Sequence, residues 1–388
     1  MNEAIQMNQP LAGRRVVDMS GLGGAYGTRM MAALGAEVIK VESPSGSPLR
    51  QMAPFADGAP EGEASLWWAF LSMGTKSVVI DPAAADGADQ LRALLETADI
   101  VVDEHSPDVL DQHGVGYETI AAANPAVVWV AITPFGRTGP KREWKSSNLI
   151  AWASSGILYT VGFPDQPPVS PGGPIQMAMH ATALNATLGA LLGLRVARKT
   201  GKGQRVDVSL QEAALALAPE TGVCVFLDDR VHRERTGNRR LLSRPFGLYP
   251  CSDGFVSILV LMPHHWVAMA QWIHDVTGND TVTDPVFEDS AVRAETLELI
   301  DGFVEELTLQ LTGLEAFQEG QRRGIPITPV NTIAALRSDP HLAASGFWQE
   351  TELPAGGSVA IPGAPFRTNL DWWRTSRAPR LGEHSGMV

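Results

Sequence analysis

Cysteine is nearly absent: Cys224 and Cys251 are the only two in 388 residues. They lie far apart without metal-ligand spacing and read as free thiols in a reducing cytoplasm. No His-Glu-x-x-His, Cys-x-x-Cys, phosphate-binding P-loop or Gly-x-Ser-x-Gly elbow occurs. The nine histidines are scattered apart from His264-His265, so no metal site is expected. No apolar run approaches the ~18–20 uninterrupted residues of a membrane span. The nearest, Met177–Leu194, is broken by His180, Asn185 and two threonines, and reads as a buried helix. The opening MNEAIQMNQPLAG has no basic region followed by an apolar core, so it does not read as a signal peptide. The expectation is a soluble cytoplasmic protein.

Positive charge is also scarce. Thirty Lys and Arg against 43 Asp and Glu leave a net charge of −13, which argues against non-specific binding to nucleic acid or an anionic membrane. A small anionic ligand is not excluded, since it needs only a local basic pocket. The carboxylates themselves are missing from one place: between Asp165 and Asp207 there is no Asp or Glu.

What is present is an α/β pattern. Arg15–Met19 is a short apolar run suited to a buried parallel strand. Gly21, Gly23 and Gly24 make a turn, Ala25–Leu34 has helical composition, Gly35 suits a C-cap, and Ala36–Glu42 is a second strand. The turn approaches a dinucleotide fingerprint and misses it, because Tyr26 takes the third glycine position; Glu42 supplies the acid after the second strand. TKSVVIDP, DIVVDE and AVVWVAITPFG read as further strands, alternating with helical stretches, and predict a doubly wound sheet. From about Val225 the texture changes to a charged stretch, a hairpin turning at Ser252-Asp253-Gly254, and helices carrying Trp266 and Trp272. The expected organisation is a large domain over 1–205, a linker over 206–225, a small domain over 226–325, and a segment over 326–388 returning to the large domain. Among polar side chains, His105 follows Asp103-Glu104 just past a strand, where a doubly wound sheet places ligand groups.

Seven stretches, in order and spanning nearly the whole chain, carry a resemblance. They are LAGRRVVDMSGLGGAYGTRMMAALGAEVIKVESPSGSPLR, TKSVVIDP, GRTGPKREWKSSN, ARKTGKGQRVDVSLQEAALAL, GNRRLLSRPFGLYPCSDGFVSI, GIPITPVNTIAALRSDPHLAASGFW and PRLGEH. Together they resemble the family III CoA-transferases, the CaiB/BaiF group that includes formyl-CoA transferase and the 2-methylacyl-CoA racemases. The resemblance implies a Rossmann-like doubly wound large domain, a smaller α+β domain, and an interlocked dimer. It implies no tightly bound cofactor, with CoA or acyl-CoA as substrate. It also implies an Asp nucleophile just before the helix matched by Ala183–Leu194. That position falls on Met179 counting back, or on Met177 counting forward from Pro168, and neither is acidic. A thioether cannot form an acyl anhydride, and His180 offers at best an acyl-imidazole.

The positions resembling CoA contacts depart from the family too. Leu22 and Ile80 keep an apolar adenine slot, Gly23 keeps the turn, and Lys145 is retained. Ser43 and Ala83 stand where cations are expected, Gln112 where an Arg is expected, and Asp103-Glu104-His105 where Glu-Asn-Phe is usual. The racemase His-Asp pair would fall on Ser147-Asn148. Losing cations while gaining Glu104 makes the pocket worse for a polyphosphate. The leading expectation is a subunit lacking its own nucleophile, paired as a heterodimer with an Asp-bearing paralogue. In interlocked dimers the region around Arg239-Arg240 can help close the partner's active site. The alternative is a homodimeric enzyme repurposed as an acyl-CoA hydrolase, lyase or isomerase, with His105, Glu104 and His180 as acid–base candidates, or a non-catalytic ligand-binding protein. Ordinary transfer would require a carboxylate from elsewhere, such as Asp103 or Glu212, facing the cleft.

Overall fold

The computed structural model describes residues 9–387 except 59, 61, 171–175, 218–234, 240–244 and 355. Cys224 and Arg240 therefore lie outside the described residues. The chain divides into two compact units, one of 1–158, 170–231 and 345–388, the other of 159–169 and 232–344.

The first unit is built on six parallel strands: β1 (Arg15–Met19), β2 (Glu37–Glu42), β3 (Lys76–Val79), β4 (Ile100–Asp103), β5 (Val128–Thr133) and β6 (Gln204–Ser209). Their order is β3-β2-β1-β4-β5-β6, the Rossmann order, with the chain reversing direction across the sheet between β1 and β4. The register fixes which residues face each side. Val16, Val38, Val102, Val130 and Ile132 pack on one face beneath Ala186, Ala190 and Leu194 of the helix Met177–Thr200. Val17, Ile39, Val101 and Trp129 pack on the other, against Leu91, Leu94, Leu95 and Ile120. Burial of both faces explains why these strands are rich in Val and Ile.

The first helix begins at Leu22, three residues earlier than its composition suggests, and ends at Ala33. At its glycines neighbours come too close for a side chain. A Cβ on Gly27 would meet Thr187 Oγ1 and the carbonyl of Ala183, so this helix rests directly on Met177–Thr200. By length and composition the helix Met177–Thr200 could cross a membrane, yet one face is packed into the sheet's core. Its opposite face leaves Leu184, Leu188, Leu192 and Val196, four residues apart, about half exposed.

Two ion pairs are buried between the strands. Lys40 Nζ lies 2.5 Å from Asp18 Oδ2, whose oxygens also accept from the Ser20 amide and hydroxyl and the Thr28 hydroxyl. Glu42 binds Arg50 through both carboxylate oxygens, at 2.7 and 2.8 Å. The C-terminal segment closes over the second pair. The Gly382 amide donates to Ser77 Oγ, His384 donates to the Ser77 carbonyl, and Trp68 Nε1 and Arg50 both donate to the Pro379 carbonyl.

The second unit carries three antiparallel strands, β7 (Phe246–Cys251), β8 (Gly254–Leu259) and β9 (Ile327–Pro329). The β7–β8 hairpin turns through Ser252-Asp253, with Cys251 paired to Gly254. Helices Pro263–Thr277, Leu297–Thr308 and Gly313–Arg322 bury Tyr249, Trp266, Trp272 and Phe303 with the sheet. Arg239 pairs with Asp301 and Glu305 and lies over the Tyr249 ring, so its charge is used within this unit.

Removing one member of a fully buried pair leaves the other charged and unsolvated. Lys40→Met is expected to destabilise the sheet unit by about 3–5 kcal/mol. Lys76→Ala, which breaks the half-exposed pair with Glu37, is expected to cost about 1 kcal/mol or less. Urea unfolding of the two variants beside the parent chain measures both; equal midpoints for the two would contradict this ranking.

Candidate active site

The carboxyl ends of β1, β2, β3 and β4 open onto a cleft of about 480 Å³. Leu22, Ser43, Ile80, Glu104 and His105 all line it. The sequence-based choice of these five is thus brought together in one place. Gly23 takes part through its backbone. Its amide donates to both oxygens of Glu104, at 3.1 and 3.2 Å, and a Cβ there would come within 2.7 Å of the carboxylate. Ala83 is exposed beside Pro82, which lines the cleft, and its amide donates to Asp81. Lys145 and Gln112 are exposed and are not among the lining residues.

Glu42, the acid that follows the second strand, is committed within the fold. Besides Arg50 it accepts from Ser77 Oγ and the Ser47 amide, so both oxygens are occupied within the fold. Glu104 is the opposite case. Burial pushes its pKa up to about 7, outweighing the Gly23 and Gly21 amides that favour the ionised form. Asp18 pushes in the same direction as burial, while Lys40 opposes it.

His105 is held by the residue two before it. Asp103 Oδ1 accepts from the His105 amide at 3.0 Å and lies 2.8 Å from its Nδ1. Asp103 Oδ2 accepts from Trp129 Nε1. The hydrogen bond to Asp103 raises the His105 pKa, against the opposing effect of burial. With Nδ1 committed to Asp103, the remaining ring nitrogen is the one available to the cleft. Asp103 is itself buried and spent on these contacts, and Glu212 is exposed on the helix Leu210–Ala216. Neither offers a free carboxylate to the cleft.

The region expected to carry a nucleophile lies at the start of the long helix. That helix begins at Met177, so Met177, Met179 and His180 occupy its first turns and do not precede it. Met177 is exposed and Met179 packs against the main core. His180 sits between two aromatic rings, Trp67 at 6.1 Å and nearly parallel, and Tyr26 at 5.6 Å edge-on. Its Nδ1 is buried without a hydrogen-bond partner, and burial lowers its pKa, so the ring is neutral. Tyr26 and Trp67 were not legible as neighbours of His180, because three separate segments converge there. Ser147 caps the helix Asn148–Ser154, and the Asn148 side chain accepts from the Ala178 amide, fixing the start of the long helix.

The family model for CoA-transferase family III matches residues 11–385. The chain belongs to CoA-transferase family III. It is 33% identical to the succinyl-CoA:(R)-benzylsuccinate CoA-transferase subunit BbsE of Thauera aromatica, over 98% of this chain and 93% of that one. It is 29% identical to the succinyl-CoA–L-malate CoA-transferase alpha subunit of Chloroflexus aurantiacus, over 99% of this chain and 85% of the relative. Among solved structures, a CaiB/BaiF family protein from Brucella suis superposes with a TM-score of 0.84 at 27% identity, covering 97% of this chain and 98% of that one. A family III site works on CoA thioesters, and in this member its cleft carries a carboxyl with a displaced pKa.

That displacement has a stability consequence. Because the fold raises the Glu104 pKa from 4.5, the folded state holds the proton more tightly than the unfolded state. Stability therefore falls as pH rises above the ordinary carboxyl range and levels off past about 7. Glu104→Gln is expected to be more stable than the parent at pH 8 by about 1–3 kcal/mol. The difference should become small near pH 4.5, where the folded carboxyl is protonated and the unfolded one is half protonated. Thermal melting at the two pH values decides it, and an E104Q variant less stable at pH 8 would contradict the assignment.

Proposed function

We propose that this chain is the subunit of a cytoplasmic, heterodimeric acyl-CoA:carboxylate CoA-transferase that lacks the nucleophile, paired with an Asp-bearing paralogue that supplies it. The observation that carries this reading is the occupancy of the first turns of Met177–Thr200 by Met177, Met179 and His180, with no acid from Gln166 to Val206.

The chemistry explains why that matters. An enzyme carboxylate attacks the thioester carbonyl, a C–O bond forms, the C–S bond breaks, and CoA thiolate leaves a mixed anhydride. The thiolate then attacks the enzyme's own acyl carbon, releasing the first acid and leaving an enzyme thioester. The acceptor carboxylate repeats the two steps in reverse and regenerates the enzyme carboxylate. The cycle needs an enzyme carboxylate that attacks as a nucleophile in one step and is attacked as an acyl group in the next; a thioether sulfur cannot fill that role.

Two further observations support a subunit role. Two of the relatives are themselves named as subunits, and their names specify succinyl-CoA as the donor. The half-exposed row Leu184, Leu188, Leu192 and Val196 leaves an apolar strip on the single chain of the kind a protein partner covers.

The test is CoA transfer from succinyl-CoA to a panel of dicarboxylates, assayed with the purified chain alone, with the Asp-bearing paralogue alone, and with both. No transfer by this chain alone and transfer by the mixture, lost when the paralogue's Asp is replaced by Ala, is the expected pattern. Transfer or thioester hydrolysis by this chain alone would overturn it.

A further inference from the structure

The cleft has an unusual charge inventory for a site that meets a polyphosphate. Among the described residues lining it there is no Lys or Arg. The nearby cations are spent inside the fold, Lys40 on Asp18 and Arg50 on Glu42, each almost fully buried. Its titratable lining groups are Glu42, neutralised by Arg50, and the adjacent pair Glu104 and His105. Glu104 already sits on the amides that open the first helix, the kind of backbone donors that would otherwise receive a ligand's oxygen. Gly23 has no room for a side chain because the carboxyl is packed against it.

We propose that Glu104 is an internal occupant of the glycine turn, and that this chain takes up the phosphate-bearing CoA moiety only when Glu104 and His105 are both protonated. This deepens the family III reading and rests on it for the identity of the ligand. Every charged or titratable neighbour is accounted for in the argument. Glu104 meets the Gly21 and Gly23 amides of the first helix, Asp18 of β1, Lys40 of β2 and His105 beside it in the chain. Asp18 and Lys40 cancel as an ion pair. His105 meets Asp103 of β4, itself bound by Trp129 of β5. Raising the pH therefore adds a negative charge at Glu104 and removes a positive one at His105, and both changes repel a polyanion. Protonated Glu104 accepts from the amides more weakly, so a phosphate oxygen can displace it from that turn, while protonated His105 remains anchored by Asp103 and supplies the cation that Ser43 and Ala83 do not.

The direction is the reverse of what a lysine-lined pocket would give, since lysine stays charged throughout the neutral range. For one group titrating near neutrality, affinity changes by about tenfold between pH 6 and pH 8. The experiment is calorimetric titration of the purified full chain with CoA at pH 6 and pH 8, for the parent, Glu104→Gln and His105→Gln. Pantetheine serves as the phosphate-free probe, and thermal melting verifies the fold of each variant. Parent affinity for CoA is expected to be weaker at pH 8 by about tenfold or more. E104Q should bind at pH 8 more tightly than the parent does at pH 8, but short of the parent at pH 6, because His105 has lost its proton. H105Q should bind more weakly than the parent at pH 6, and pantetheine should show no such dependence. The ligand's own phosphate titration is common to all three proteins and is removed by comparing them. Parent binding that is independent of pH, or E104Q no tighter than the parent at pH 8, overturns the proposal. So does an absence of CoA binding by every form at both pH values. That last result would leave the subunit reading standing, because it is judged by transfer in the mixed chains.

Discussion

Glu42 holds together three parts of the chain that are far apart in sequence. It ends β2, grips Arg50 through two hydrogen bonds, and takes a third from Ser77 of β3. Arg50 in turn lies 3.6 Å over the Trp68 ring and donates to the Pro379 carbonyl, which also receives the Trp68 indole. A buried ion pair of this kind contributes little net stability compared with an apolar replacement, because both ions are desolvated. Its effect here is geometric. The C-terminal segment, the loop after β2 and the edge strand share one polar centre, so the wall of the cleft cannot move without unpairing a buried charge.

That constraint determines what the cleft can do. In a doubly wound sheet the acid after the second strand is free to meet a ribose, and the glycine turn is free to meet a phosphate. Here both features exist and both are filled from within, the acid by Arg50 and the turn by Glu104. The same substitution of internal for external partners appears at Lys40, whose charge is spent on Asp18. The cleft is lined by the apolar Leu22 and Ile80, and its polar chemistry comes from two titratable neighbours held differently. Asp103 holds His105 through its side chain, whereas Glu104 is held by the backbone amide of Gly23 and has its pKa raised by burial.

The fold was largely legible because its signals are local. Arg15–Met19 and Ala36–Glu42 are apolar over runs too short for helices, and both became central parallel strands. The hairpin at Ser252-Asp253 was marked by its turn residues. Glu104 and His105 were legible as groups just past a strand end of a doubly wound sheet, and Ser43 and Ile80 came from the family resemblance; all four line the cleft. What escaped the sequence was pairing. An acid after β2 looks the same whether it meets a ribose or an arginine eight residues on. The Tyr26–Trp67–His180 contact needs the first helix, the helix Leu66–Leu71 and the long helix in one place, and no periodicity within any one of them announces it. The start of the first helix was misjudged for a related reason. Glycines give weak boundary signals, and tertiary contacts such as Gly27 against Thr187 set the geometry there.

The carboxylate-free stretch can now be divided by cause. On the inner face of Met177–Thr200, Ala178, Ala186, Ala190 and Leu194 lie in the core, where an ionised acid would need a buried partner. On the outer face the row from Leu184 to Val196 is apolar along its length, and an acid would interrupt it. Neither cause applies to the helix's first turn. An exposed position such as Met177 at a helix N-terminus is where Asp and Glu are favoured, because the macrodipole and the free amides stabilise negative charge. Packing accounts for the missing acids along most of the stretch and fails at its beginning. The absence at that end is therefore the one that packing leaves unexplained, since it is where an acid would be easiest to place, and the proposed subunit role is what gives it meaning.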